Sequence, residues 1–103
     1  MDPTDVKRTI RILNFTKLVR SSLPGVGEIL LKQLEYSFQY YSNDKFVHVD
    51  TKKHITEIIN MLHNSREALL NESGTLQDYI DFLQLIINFT YPDMRAILDN
   101  IFP

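Results

Sequence analysis

The sequence predicts an all-α fold, a compact bundle of four to five helices that forms a single domain over residues 1–103. Apolar residues recur at spacings of three and four along most of the chain, which is typical of amphipathic helices. Only residues 46–50 alternate in a strand-like pattern, and no second segment offers a partner strand. A length of 103 residues suits one domain with its own core.

A first helix is predicted over residues 5–22, with apolar side chains on more than one side. Residues 23–27, Leu-Pro-Gly-Val-Gly, predict a turn, because proline fixes φ and glycine permits positive φ. A second helix follows, to about residue 42. Its predicted core stripe repeats every three or four residues and consists of Val26, Leu30, Leu34, Phe38 and Tyr41.

A second line of side chains on this helix lies outside the core stripe. Ile29, Tyr36 and Tyr40 are spaced seven and four residues apart, so they share one side of the helix. We interpret this line as a possible contact surface for another protein. After the helix, residues 46–50 are expected to form an extended linker.

Three further helices are predicted. One runs from residue 50 or 51 to about 71 and ends at the breaker sequence 71–74; its core residues include Ile55, Ile58 and Leu62. Thr75 and Asp78 form a capping-box-like start for a fourth helix, from Leu76 to about Phe89, with Leu83 and Ile87 on its core side. Residues 92–100 form the last, with proline at its first position.

The fourth helix is apolar over roughly 220° of its circumference, which requires it to be surrounded. Two interpretations stay open: the helix is the centre of the bundle, or one side of it meets a partner. A chain this short encloses a whole helix with difficulty, so we expect a protein–protein interaction module that self-associates, most simply as a homodimer. The predicted interface consists of Tyr79, Phe82, Leu85, Ile86 and Phe89, with Tyr36 and Tyr40 of the second helix.

Charge is distributed unevenly along the chain. The first 32 residues carry six basic and three acidic side chains, whereas the rest carries five basic and ten acidic ones. The basic third faces either a polyanion or the acidic part of its own chain. The first alternative predicts nucleic-acid binding through the first helix, by Arg8, Arg11 and Arg20.

The turn at Leu23, Gly25, Val26 and Gly27 resembles the hairpin of the helix-hairpin-helix family. That resemblance implies backbone N–H groups of residues 25–27 that hold a nucleic-acid phosphate, with charge added by Arg20 and Lys32. The chain departs from the family pattern at Glu28, where a basic residue is usual. The other interpretation is that the turn only reverses the chain between two packed helices.

No residue pattern predicts catalysis or a cofactor. The three histidines, His48, His54 and His63, lack the spacing of three or four that helical metal ligands require. The chain has no cysteine, which excludes disulfides, thiolate nucleophiles and thiolate zinc sites. Asp78 and Asp81 stand three apart, but nothing marks a cleft around them. We therefore expect no catalytic, cofactor-binding or metal-binding residues.

Location and source are predicted from composition alone. The acidic N-terminus lacks the apolar stretch of a signal peptide, and no apolar run approaches ~18 residues, so we expect a cytoplasmic protein without a membrane partner. Residues encoded by A/T-rich codons outnumber those encoded by G/C-rich codons. This bias is compatible with a small viral accessory protein.

Overall fold

The structure, a computed structural model, describes residues 2–71 and 74–103. That part of the chain contains no strand, which confirms the all-α class, and forms six helices, five of them with ten or more residues. In chain order they are α1 (Pro3–Ser21), α2 (Val26–Ser42), α3 (Val49–Asn64), α4 (Arg66–Leu70), α5 (Leu76–Ile86) and α6 (Pro92–Ile101). The predicted break at 71–74 includes residues 72 and 73, which lie outside the described residues.

Local signals fix most helix starts. The Asp2 carboxylate accepts a hydrogen bond from the Asp5 N–H at 2.9 Å and caps α1. The His48 side chain accepts from the Asp50 N–H at 3.1 Å, so α3 begins at Val49, inside the segment predicted to be a linker. Thr75 Oγ1 accepts from the Asp78 N–H at 3.2 Å, which confirms the predicted start of α5.

Two predicted helices are shorter than expected. The helix predicted to reach residue 71 stops at Asn64, and after buried Ser65 the chain starts the five-residue α4, which contacts α1, α3 and α5. The predicted fourth helix ends at Ile86 instead of Phe89. Beyond it, Asn88 Oδ1 accepts hydrogen bonds from the N–H and hydroxyl of Thr90, and this local pairing competes with continuation of the helix.

All six helices contribute to one core. α2 lies along α3 and also contacts α1 and α6, while α5 packs against α3 and α4. Leu34, Phe38, Ile55, Ile58 and Leu62 are buried as predicted. The other predicted core residues lie half-buried at the edge of the core: Leu30, Leu83 and Ile87.

The core side of α2 is rotated from the predicted stripe. Val26 is exposed, whereas Gly27 and Leu31 are buried. The cause is a close approach of α2 to α1: a Cβ on Gly27 would lie 2.7 Å from the Val19 carbonyl oxygen. Only glycine fits there, so the helix turns Gly27 toward α1 and leaves Val26 outside.

A partly buried charge network, with Arg8 and Asp5 at its buried centre, joins α1 to α6. Arg8 donates two hydrogen bonds to the Asp99 carboxylate of α6, at 2.8 and 2.9 Å, and a further one to Asp5. Arg11 also donates to Asp99, at 2.8 Å, and Arg95 donates to Asp5 at 3.3 Å. The hydrogen bonds from Arg8 lower the pKa of Asp99. Because Arg8 and Asp5 are buried, loss of one partner of this network would leave a buried charge uncompensated between α1 and α6.

Candidate interaction surface

The side of α5 predicted to meet a partner belongs to the core of the single chain. Phe82 is 1% exposed, and Ile86 and Phe89 are also buried. Tyr79 is half-buried, with its hydroxyl 2.9 Å from Thr16 Oγ1, and Leu85 packs against the core. The expectation that Phe82, Ile86 and Phe89 face a partner is therefore wrong for the folded chain, whereas Tyr79 and Leu85 are half-buried.

The physical reason is enclosure of α5 by elements placed differently in the prediction. Phe82 and Ile86 share one core with residues of the separate α4 and of α6, such as Leu69 and Leu98. The Arg8 guanidinium lies 5.1 Å from the centre of the Phe89 ring. The apolar side of α5 at Phe82 and Ile86 is thus buried within the chain, but α5 packs mainly against α3 and α4 and is not surrounded by the other described helices.

The outer side of α2 has the opposite character. Ile29, Tyr36 and Tyr40 are 57%, 59% and 70% exposed. With 100° per residue they point within about 20° of one direction, while the buried Leu34 and Phe38 point roughly 140–180° away from it. Together with Gln33 they form what we call the α2 face: Ile29, Gln33, Tyr36 and Tyr40. One helix thus carries apolar residues on two opposite sides, and this chain covers one of them.

At the C-terminal end of the α2 face, Tyr40 packs against the neighbouring Tyr41. The Tyr40 ring meets the Tyr41 ring edge-on at 5.2 Å between centroids. The Tyr41 hydroxyl accepts a hydrogen bond from Asn100 of α6 at 3.2 Å. Tyr41 is half-buried and therefore holds Tyr40 at a defined place on the surface.

A groove of about 250 Å³ runs beside the α2 face, between α2 and the junction of α3 with α4. Leu31 and Leu62 contribute apolar lining, and Ile29 belongs to both the groove and the α2 face. Two contacts join its sides: Arg66 forms an ion pair with Glu28 at 2.8 Å, and His63 Nε2 lies 2.5 Å from a Glu35 carboxylate oxygen. Lys32 also lines the groove and has no ion-pair partner within residues 2–71 and 74–103.

The groove is lined on its α2 side by charged residues, including Glu28 and Lys32. Glu28, Lys32 and Glu35 follow one another at spacings of four and three, which predicts one shared flank. Their partners come from residues 63 and 66 of another helix pair, and a single sequence contains no signal for that contact.

The basic residues proposed for nucleic-acid binding are engaged inside the chain. Arg8 is 3% exposed, and Arg11 shares the Asp99 carboxylate. Arg20 donates to the Ala68 carbonyl, and its guanidinium lies 4.0 Å from the centre of the Tyr79 ring. The expectation that Arg8 faces a polyanion is wrong. Much of the positive charge of α1 meets the acidic part of the same chain, the other alternative left open by the sequence.

The turn that resembles a helix-hairpin-helix hairpin is placed as a helix connection. Gly25 has φ of +88°, a left-handed conformation that favours glycine, and it precedes α2. Gly27 is buried against Val19. The shallow concavity beside the turn is lined by the acidic residues Glu28 and Glu67, which repel a phosphate. Among the six residues of that hypothesis, Gly25 and Lys32 are exposed.

The histidines lie apart. Within the described part of the chain, no three His, Asp or Glu side chains are grouped to hold a metal ion. His54 is buried near Tyr91, 5.7 Å between ring centroids, and its Nε2 atom has no hydrogen-bond partner. Burial lowers the pKa of His54, because the charged imidazolium loses hydration there.

None of the helices in residues 2–71 and 74–103 combines the length and the hydropathy needed to cross a membrane. Comparison of the chain with protein families, with curated proteins and with solved structures yields no significant match.

Proposed function

We propose that the protein is a non-enzymatic protein-interaction module that self-associates through the α2 face. The observation that carries the proposal is the pair of opposite apolar sides on α2, one buried in the core and one exposed. Single exposed apolar residues are normal on protein surfaces, but three aligned ones opposite a core stripe are typical of a helix that contacts a second helix. Tyrosines suit such contacts, because each buries a large area with few rotatable bonds.

The α2 face suits an antiparallel pairing with a second copy. Its residues repeat at four, three and four, the spacing of a coiled-coil seam. If two copies cross with α2 antiparallel, Ile29 of one lies opposite Tyr40 of the other, and Gln33 lies opposite Tyr36. Each tyrosine then meets a smaller side chain. A parallel pairing would instead place tyrosine against tyrosine and glutamine against glutamine, which leaves an uneven gap between the helices.

Charge along one flank supports the same orientation. Glu28, Lys32, Glu35 and Gln39 lie on one side of the α2 face. In an antiparallel pair this flank of one copy lies beside the same flank of the second copy. Lys32, which has no ion-pair partner among the described residues, then comes within reach of Glu35 of the second copy. In a parallel pair the charged flank of one copy would lie beside the other flank of the second copy, where Ser37 and Leu30 carry no charge. Complementary charge fixes orientation more than it adds affinity.

Two α2 helices bury an area at the low end of specific interfaces, so we expect a weak dimer whose population depends on concentration. The cytoplasmic location and the viral source stay predictions from composition. Nucleic-acid binding through α1 is not part of the proposal, since Arg8, Arg11 and Arg20 are engaged within the chain.

The test is a mass measurement by light scattering at low and high protein concentration. We expect the wild type to shift toward dimer mass at high concentration, and the double change Tyr36→Lys, Tyr40→Lys to stay monomeric with an unchanged helical circular dichroism spectrum. Leu76→Lys is the matched control, because Leu76 is as exposed as Tyr40 but lies on α5. A wild type that stays monomeric, or a double variant that dimerises like the control, contradicts the proposal.

A further inference from the structure

The connection between α2 and α3 exposes the most accessible aromatic side chain of the described residues. Phe46 is 86% exposed, and Val49, at the start of α3, is 59% exposed. Three lysines surround them in sequence. We call this group the loop cluster: Lys45, Phe46, Val49, Lys52 and Lys53.

The chain around Phe46 is fixed on both sides. Asp44 Oδ1 accepts a hydrogen bond from the Phe46 N–H at 2.9 Å, and the Asp44 carbonyl accepts from the Val47 N–H at 3.2 Å. The next residue, Val47, packs against the core. The His48 N–H donates to Asp93 Oδ2 at 3.0 Å. Phe46 is therefore held outward by a defined turn, and it needs no reordering of the backbone to contact a partner.

The acidic and basic side chains of this segment differ in their contacts. Asp44 and Asp93 accept hydrogen bonds from backbone N–H groups, and Asp93 also accepts from the Thr51 hydroxyl. Asp50 lies 3.7 Å from His48 Nδ1. Among the ion pairs of residues 2–71 and 74–103, none includes Lys45, Lys52 or Lys53. Asp44 and Asp93 are thus engaged locally, Asp50 stays 54% exposed beside His48, and the three ammonium groups have no carboxylate partner within the described residues.

The first turn of α3 places the cluster on one side. With 100° per residue, Lys52 and Lys53 lie about 60° and 40° to either side of Val49. Val49 and Lys53 point away from the buried Ile55 and Ile58, whereas Lys52 is half-buried and borders the core side at Ile55. The Lys45 ammonium lies 5.2 Å from the centre of the Phe46 ring. An apolar tip is thus bordered by long cationic side chains, whose stems lie along apolar surface while their charges reach anions.

We propose that the loop cluster binds an anionic phospholipid surface, with the Phe46 and Val49 side chains in the interfacial region and the three lysines on lipid phosphates and carboxylates. A convex apolar tip suits a deformable planar interface, and lysines near an anionic membrane each favour binding by about fivefold. The binding is peripheral and weak. It uses residues outside the α2 face and does not depend on self-association.

The experiment is cosedimentation of the full chain with vesicles of phosphatidylcholine alone, or of phosphatidylcholine and phosphatidylserine in equal parts. We expect sedimentation with the anionic vesicles only, with loss at high salt. Phe46→Ser should lower the bound fraction at least fivefold, and Lys52→Gln with Lys53→Gln should lower it about tenfold or more. Phe46 and Lys53 are exposed, and Lys52 is half-buried at the edge of α3, so the variants should keep the wild-type circular dichroism spectrum.

The matched control is Lys7→Gln with Lys17→Gln, which removes the same charge from exposed positions of α1. It should bind like the wild type. If the control and the cluster variants lost vesicle binding equally, the binding would depend only on net charge, and the proposal would be overturned. Absence of sedimentation with anionic vesicles also overturns it. So does tight binding of a single-stranded oligonucleotide that depends on Phe46 and displaces the vesicles, because the cluster would then be a nucleic-acid site.

Discussion

Helices α5 and α2 both carry more apolar side chains than one face requires, yet the chain treats them differently. On α5 the extra apolar side, with Phe82 and Ile86, is enclosed by other helices of the same chain. On α2 the extra side, with Tyr36 and Tyr40, stays exposed. The comparison teaches that apolar excess on a helix marks a contact but does not say whether the contact lies within the chain or beyond it.

Helix position decides which outcome occurs. α5 lies in the middle of the second half of the chain, where α3 and α4 pack against it. α2 contacts α1, α3 and α6, and these contacts use its opposite side. No remaining helix of the described chain covers the α2 face, so a partner is the available means to bury it.

The largest expected effect concerns α5. Phe82→Ala should lower the free energy of unfolding by about 3–5 kcal/mol, since a fully buried ring leaves a cavity. Tyr36→Ala should change it by less than about 0.5 kcal/mol at concentrations where the chain is monomeric. Urea denaturation measures both. A Phe82 variant as stable as the Tyr36 variant would mean that the two helices have been assigned the wrong way round.

A second effect tests whether the charge of α1 is internal. Arg8→Met should cost about 3–5 kcal/mol, because Asp5 and Asp99 would lose their main cationic partner. Lys7→Met, one residue earlier and exposed, should cost less than about 0.5 kcal/mol. Thermal and urea unfolding give these differences. If the two variants lost similar amounts of unfolding free energy, Arg8 would lie at the surface, where it could contact a polyanion.

The third prediction concerns the phase of α2, which determines which side becomes the α2 face. Gly27→Ala should cost about 1–3 kcal/mol, because its Cβ would lie 2.7 Å from the Val19 carbonyl oxygen and force α1 and α2 apart. Val26→Ala, at the neighbouring exposed position, should be nearly neutral. Should Val26→Ala prove the costlier change, α2 would be rotated and the α2 face would be misplaced.

The smallest effect is pH-dependent and comes from His54, a buried residue of α3 that faces Tyr91 in the chain after α5. Its pKa is lowered by burial, with the Glu57 carboxylate acting in the opposite direction, so the unfolded chain binds a proton at higher pH than the folded chain. Stability should therefore fall as pH drops below 6.5, until the folded-state pKa is passed. His54→Gln should flatten this part of the stability curve. If the variant kept the same dependence of stability on pH, a group other than His54 would be responsible for it.

The all-α class, the start of α5 and the exposed line of α2 were predictable, because each depends on local spacing or capping. The enclosure of Phe82 was not, since it depends on how α3 and the unpredicted α4 pack against α5 in three dimensions. The rotation of α2 came from one close backbone contact at Gly27. The pairing of Arg8 with Asp99 joins residues 91 apart, and charge composition alone permitted a polyanion equally well.

The most direct test of the central claim uses the absence of cysteine in the chain. Val26→Cys and Asn43→Cys place single thiols at the two ends of the α2 face, about 25 Å apart along the helix. In an antiparallel α2 pair, residue 26 of one copy lies opposite residue 43 of the other. A disulfide between copies therefore requires one copy of each variant. We therefore predict a disulfide-linked dimer, on a non-reducing gel, from an oxidised equal mixture and little from either variant alone. Linkage within each single variant would show a parallel pair, and no linkage in any sample would contradict association through α2.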